Sequence, residues 1–247
     1  MSASPLGIIG GTSLLNSSYF ATLEKRVIST EHGDVNLHFG DGFIFCQRHH
    51  ADPAKEYTPP HLINFRAIIA GFKQSGVEKV LSFGSTGSLK KEIGLGSVVI
   101  PDDFFNLFNQ VSFYDDGRAH IVANIDAGFR QEVIEVINSK NADGSVPLHV
   151  GGTYVQTSGP RMETKAEIRV IAQWGEVVAM TAAHEVTLLC EQGMKSAMIC
   201  MVDNYANGIV EKPLTMAEFK EGVKKNEKVV ESVLDWMLEH FVVPHRQ

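Results

Sequence analysis

Short apolar runs bounded by glycine recur along this chain at nearly even intervals, and no other feature narrows the possible folds as much. They occupy residues 6–9, 43–46, 80–83, 97–100, 150–156, 177–180 and 198–202. Runs this short, apolar throughout and closed by turn residues, have the pattern of buried strands. Segments with helical spacing lie between several of them. Residues 60–75 bring Leu62, Phe65, Ile68, Ile69 and Phe72 onto one side, with Gly76 placed to stop the helix. Thr164 and Glu167 form a Thr-x-x-Glu capping box ahead of a helix running to about Trp174, and residues 183–192 read as a second apolar helix. Thr215 and Glu218 repeat the box before the longest helix, on which Val230, Val233, Leu234, Met237 and Leu238 share a broad face. Strands interleaved with helices predict an α/β fold. Residues 115–126 and 139–146 read as the longest loops, and no repeat, linker or low-complexity tract divides the 247 residues, so one domain over residues 1–247 is expected.

Composition removes several function classes. A formal charge of -7, with no basic run, argues against the phosphate-neutralising stripe of a nucleic-acid binder. No window reaches the 18 or so apolar residues of a membrane span, and the opening Met-Ser-Ala-Ser-Pro lacks the basic start of a secretion signal. Three cysteines, an odd number in apolar or strand-like settings, read as free thiols in a reducing compartment. A cytoplasmic protein without membrane association is expected.

Five segments place polar side chains where strands end, which is where open α/β sheets build their sites. Gly10-Gly11-Thr12-Ser13 follows the first strand. Its glycines let backbone approach an anion and its hydroxyls add donors, although a lone turn of this kind is more often only a turn, and the spacing of a dinucleotide fingerprint is missing. Arg48-His49-His50 follows the second strand and offers a planar fork and an imidazole to a phosphate, or else a plain basic cluster. A metal site there is disfavoured, because neighbouring histidines on a strand point to opposite faces. Gly159-Pro-Arg-Met162-Glu163-Thr sets Glu163 at a helix entrance, and Met180-Thr181-Ala-Ala-His184-Glu sets Thr181 where a backbone anion nest could form. Asp203-Asn204-Tyr-Ala-Asn follows the last apolar run.

In order and spacing these segments, together with Asn64-Phe65-Arg66-Ala67, Thr86-Gly87-Ser88-Leu89 and Gly152-Thr-Tyr-Val, resemble the trimeric purine nucleoside phosphorylases, including the methylthioadenosine and methylthioinosine phosphorylases, over nearly the whole chain. The resemblance implies a mixed, partly barrel-like central sheet flanked by helices, packed as a homotrimer with sites near subunit interfaces. It implies cleavage of a purine nucleoside by inorganic phosphate, to free base and a ribose 1-phosphate, with phosphate as co-substrate and neither metal nor organic cofactor. Carried over by position, Thr12, Arg48, His49 and Thr181 bind phosphate with Ser85 and Thr86 nearby. Met180 lies against the ribose, and Glu163 and Asn204 hold the base, with Met162 and Asp203 beside them. Met216 and Leu214 face the ribose 5′ end, and His120 matches a residue that a neighbouring subunit contributes. In the aminopurine members the position of Glu163 is typically Ser and that of Asn204 is Asp, so a 6-oxopurine such as inosine, guanosine or 5′-methylthioinosine is the expected substrate. 5′-Methylthioadenosine is the alternative.

This chain departs from the family in four places. Met162 stands where an aromatic residue often stacks on the base, and His184 replaces a proline. The Asp203-Asn204-Tyr205-Ala206 segment lacks the second aspartate of the methylthioadenosine enzymes, and residues 51–58 are unusual. A nucleosidase using water would not need Arg48, His49 and Thr181. An oxidoreductase would need the missing fingerprint, and a purely nucleoside-binding regulatory module would not need the phosphate donors.

Overall fold

The computed structural model describes residues 4–15, 17–107 and 109–242. Strand β1 (Leu6–Gly10) is buried along its whole length and pairs in parallel with β4 (Phe43–Gln47) and with β5 (Lys79–Ser88). A hairpin of β2 (Glu24–Thr30) and β3 (Gly33–Phe39) extends the sheet antiparallel beyond β4. On the far side of β5 runs β11 (Lys195–Tyr205), parallel to it and carrying β6 (Val98–Ile100) and then β8 (Leu148–Val150) at its other edge. Next come β10 (Val177–Ala179), β9 (Thr153–Gln156) and β7 (Asp103–Phe105), with β10 antiparallel to β5. The sheet is mixed, as expected.

It forks at β5. The edge of β5 that pairs with β1 through Phe83 pairs with β10 from Gly87 onward, while β11 follows the other edge throughout. Residues 84–86 therefore face a gap between the end of β1 and the end of β10. Backbone left unpaired by two diverging strands opens a crevice at that point.

Helices cover both faces. Helix α2 (Ala127–Lys140) and α5 (Met216–Phe241) share one core with β1, β5, β6 and β11, in which Phe129, Val133, Ile137, Val233, Leu234 and Met237 are sealed from solvent. Helix α1 (Phe65–Gln74) and α4 (Ala182–Glu191) pack on the other face against β1, β3 and β4. Ile68, Ile69 and Phe72 of α1 are fully buried, at about 1.5–3 kcal/mol each. A short α3 (Lys165–Ile171) seats Ile168 on Val178 and Leu89.

Several boundaries differ from the sequence reading. The run 150–156 is two strands, because Gly151 and Gly152 both take positive φ (97° and 90°) and turn the chain from the β6 edge to the β10 edge. The helix of residues 60–75 begins at Phe65, where the Asn64 side chain caps the Ala67 N–H, and residues 60–62 form a separate 3-10 turn. Helix α3 stops at Ile171 rather than Trp174. Strands β5 and β11 outrun their apolar cores, since Ser82, Thr86, Ser88, Asp203 and Asn204 are buried within them. Helix α2, strand β7 and the β2–β3 hairpin were not anticipated, and α2 carries the chain to Lys140, inside the expected 139–146 loop.

Candidate active site

The crevice at the fork is a cleft of about 180 Å³. It collects Thr12, Arg48, His49, Ser85, Thr86, Met162, Glu163, Met180, Thr181, Asn204 and Met216, all singled out from the sequence, and Leu214 with them. Strand order gives it two ends. Thr12 and Arg48 follow β1, which pairs with β5 up to Phe83, and its neighbour β4, whereas Glu163 follows β9, which joins β5 from Gly87 through β10, and Asn204 lies on β11 opposite Gly87.

At the first end Arg48 is buried. Its Nε and Nη2 donate to Glu185 Oε1 and Oε2 (2.6 and 3.1 Å) and its Nη1 donates to the Phe83 carbonyl (3.0 Å). A guanidinium has five N–H groups, so two remain for a ligand. Gly11 is required beside it, because a Cβ there would stand 2.1 Å from Arg48 Nη1. The Gln47 amide ties the two segments together, donating to the Gly11 carbonyl (3.1 Å) and accepting from the His49 N–H (3.2 Å).

His49 has its Nδ1 2.9 Å from the Thr58 carbonyl. A carbonyl only accepts, so Nδ1 carries the proton and Nε2 the lone pair. Burial lowers the ring's pKa to about 4, against the pull of that hydrogen bond. The ring is thus neutral near pH 7. Tyr57 stacks on it with centroids 5.2 Å apart.

Thr181 precedes α4, the helix whose Glu185 holds Arg48, which places its side chain at the same end. The anion nest expected there does not exist. The N–H groups of Thr181 and Ala182 both donate to Tyr154 Oη (3.2 and 3.1 Å), and that of Ala183 donates to Gln156 Oε1 (2.8 Å). Helix α4 spends its first-turn donors on β9, so Thr181 offers its hydroxyl, which makes no capping bond.

At the second end Glu163 is buried and accepts at Oε1 from the Thr157 hydroxyl, while Asn207 Nδ2 donates to its main-chain carbonyl (3.0 Å). Asn204 is turned inward by a β-bulge between Val202 and Asn204 in the β5 register, a device that re-aims side chains beside sites. One N–H of its amide donates to the Tyr205 carbonyl (2.9 Å), and Gly87 leaves it room, since a Cβ there would lie 3.1 Å from Asn204 Nδ2. Met180 spans the middle. Its Sδ lies 2.5 Å from where a Cβ of Gly159 would be, and Gly159 has φ of 60°, so both space and conformation call for glycine.

Three sequence candidates stand outside the cleft, Asp203, His120 and Ser13. Asp203, the bulged residue, is absent from the cleft lining, accepts from Asn226 Nδ2 of α5 (2.7 Å) and lines an adjoining cavity. Burial raises its pKa to about 6. His120 is exposed at the end of a 3-10 turn in the loop 106–126. Ser13 is buried away from the cleft. Tyr57, Phe219, Thr157 and Glu185 were missed, and for Glu185 a signal existed: an acid inside an otherwise apolar helix face must find a buried cation.

Among the described residues no group of three or more His, Cys, Asp or Glu could hold a metal ion, and no helix is long and apolar enough to cross a membrane.

Residues 5–239 match the Phosphorylase superfamily. A relative from Archaeoglobus fulgidus, described as a probable 6-oxopurine nucleoside phosphorylase, is 36% identical over 225 residues, covering 90% of each chain. A probable S-methyl-5′-thioinosine phosphorylase from Methanocaldococcus jannaschii is 35% identical over 239 residues, covering 94% of this chain and 92% of that one. Methylthioadenosine phosphorylase from Schistosoma mansoni, solved in complex with adenine, shares the fold with a TM-score of 0.79 at 21% identity, over 96% of this chain and 91% of that one. With its forked sheet, its two-ended cleft and a match over nearly its whole length, the chain belongs to the phosphorylase superfamily.

Proposed function

We propose that this chain is a purine nucleoside phosphorylase that prefers 6-oxopurines, acting on inosine, guanosine or 5′-methylthioinosine. The observation that supports this reading is the single cleft that joins an anion end (Thr12, Arg48, His49, Thr181) to a base end (Glu163, Asn204) across Met180. A phosphate oxygen forms the bond to the anomeric carbon as the bond to the purine nitrogen breaks, and the electron pair leaves with the purine. Positive charge develops on the ribose and negative charge on the base, so the phosphate stabilises one and donors at the far end stabilise the other. The two free N–H groups of Arg48, the Thr12 and Thr181 hydroxyls and the nearby Ser85 and Thr86 hold the anion close to the sugar. Neutral His49 presents an acceptor at Nε2, which suits the one O–H of hydrogen phosphate. Inorganic phosphate is the co-substrate, and the proposed chemistry calls for no metal or organic cofactor.

At the base, a 6-oxopurine carries N–H at position 1 and an acceptor at position 6, which fit a carboxylate and an amide N–H₂. Adenine inverts that edge. The 5′ end is walled by Leu214, Met216 and Phe219, an apolar surface that favours a methylthio group over a hydroxyl by about 1–3 kcal/mol. We further propose a homotrimer working in the cytoplasm, the latter on the strength of three free thiols.

The test is base release from inosine, adenosine and their methylthio forms, each with and without phosphate. Turnover is expected only with phosphate, and Arg48→Ala is expected to lose tenfold or more, the equivalent of about 1.5–3 kcal/mol for a charge-assisted contact. Equal release in phosphate-free buffer would point to hydrolysis and overturn the reading.

A further inference from the structure

Behind the base end of the cleft, Thr157 closes a contact that the proposed reaction has not used. It follows β9, and its N–H donates to the Ala179 carbonyl (2.9 Å), which extends the pairing of β9 with β10 by one residue. Its hydroxyl then has two acceptors in reach, Glu163 Oε1 at short range and the same Ala179 carbonyl at 3.5 Å. That carbonyl already accepts from the backbone, and 3.5 Å is at the limit of a useful bond. The hydroxyl hydrogen therefore belongs to Glu163.

We propose that Thr157 is a specificity-determining positioning residue, holding Glu163 as a carboxylate with one oxygen committed and the other presented to the base. The proposal rests on the 6-oxopurine reading above. To hold a 6-oxopurine, Glu163 must accept from the N–H at position 1; to hold an aminopurine, it must carry a proton and donate. The Thr157 hydroxyl bonds about twice as strongly to a carboxylate as to a neutral carboxylic acid. It therefore favours the accepting form, and the aminopurine complex forgoes most of that bond. Asn207, bound to the Glu163 main-chain carbonyl, fixes the backbone and leaves the side-chain choice to Thr157.

The charged groups around Glu163 do not supply this selection. Arg161 is the cation electrostatically coupled to it, and its guanidinium is committed to both oxygens of Glu167 (2.8 and 2.7 Å). Arg48 is paired with Glu185 and His49 is neutral at the other end of the cleft. Among the described residues, β10 and β11 bring only uncharged residues to the cleft, Val178, Ala179 and Asn204, with Met180 directly after β10.

The experiment compares kcat/KM for inosine and adenosine, at saturating phosphate, in the native enzyme, Thr157→Val and Thr157→Ser. Valine keeps the shape and removes the hydroxyl, and the inosine-to-adenosine ratio is expected to fall about tenfold, the difference between a charge-assisted and a neutral hydrogen bond. Serine is expected to restore the ratio, and KM for phosphate is expected to stay unchanged in both. A Val variant that slows both nucleosides equally, or a Ser variant that behaves like Val, makes Thr157 merely structural and overturns the inference. A native enzyme that prefers adenosine overturns the 6-oxopurine reading instead, so the two failures are distinct.

Discussion

Arg48 and Glu185 show how a side chain that lines the cleft depends on a buried one that does not. The pair is sealed, with the arginine 2% and the glutamate 0% exposed. Removing one member of such a pair strands the other's charge in the core, at about 3–5 kcal/mol. The sequence made Arg48 legible, because a basic residue directly after an apolar strand stands out. Glu185 was hidden in the same motif as Thr181, and only the fold brings residues 48 and 185 together. Asn204 carries the base assignment. Asn204→Asp replaces its N–H₂ donor by an acceptor, and the inosine-to-adenosine kcat/KM ratio is expected to fall by tenfold or more, whereas an unchanged ratio would remove Asn204 from the base site. Acid sensitivity is also set residue by residue. His49 and His184, both buried, titrate near 4 in the fold against an ordinary 6.5, so the unfolded chain takes up protons first. Stability is full above about pH 6.5 and falls toward pH 4, by up to roughly 3 kcal/mol per ring. Asp203 acts in the opposite sense, holding its proton up to about 6 against 3.8 unfolded, and offsets part of the loss. Urea midpoints from pH 7 to pH 4.5 are expected to decline, less in His184→Gln and more in Asp203→Asn; a flat profile would mean that the two buried rings do not set the acid sensitivity.

Among the elements, legibility followed how locally each one is specified. Both capping boxes were readable from four residues, and both form, Thr164 with Glu167 and Thr215 with Glu218. The β2–β3 hairpin was not, because β2 is largely exposed and its residues carry no apolar alternation; its place comes from pairing with β3. The break at Gly151-Gly152 was equally hidden, since an apolar run with glycines inside reads the same whether it continues or changes partners. Helix α5 ties element to site. Asn226 reaches Asp203 and the Val202 carbonyl, and Gly222 lies so close to β11 that a Cβ would stand 1.9 Å from the Asp203 carbonyl oxygen. Backbone cannot yield there as a side chain can, so Gly222→Ala is expected to destabilise by about 3 kcal/mol, at the upper end for overpacking, and to displace the bulge that aims Asn204. Thr215→Ala, which loses only the cap, is expected to cost about 1 kcal/mol. Urea denaturation ranks the two, and equal losses would refute the close packing of α5 on β11.

On the scale of the molecule, the cleft of the single chain has an exposed rim. Met216 and Tyr57, both lining residues, are 55% and 50% exposed, and the loop 106–126 carries Leu107, Ile121 and Val122 into solvent on either side of the exposed His120. In the proposed homotrimer these outward apolar side chains are available to a neighbouring copy. Three copies around a closed axis would let this loop of each subunit reach the cleft of the next. Light scattering is therefore expected to give about three times the mass of one chain, and His120→Ala is expected to raise KM for the nucleoside several-fold while leaving phosphate KM unaltered. A mixing experiment separates this from a local role. His120→Ala and Arg48→Ala proteins, each impaired alone, are dissociated and reassembled together. A mixed trimer contains clefts whose Arg48 comes from one parent and whose His120 comes from the other, so activity is expected to rise above the sum of the parents. No gain on mixing, or a fully active monomer, would return His120 to the surface loop in which the single chain shows it.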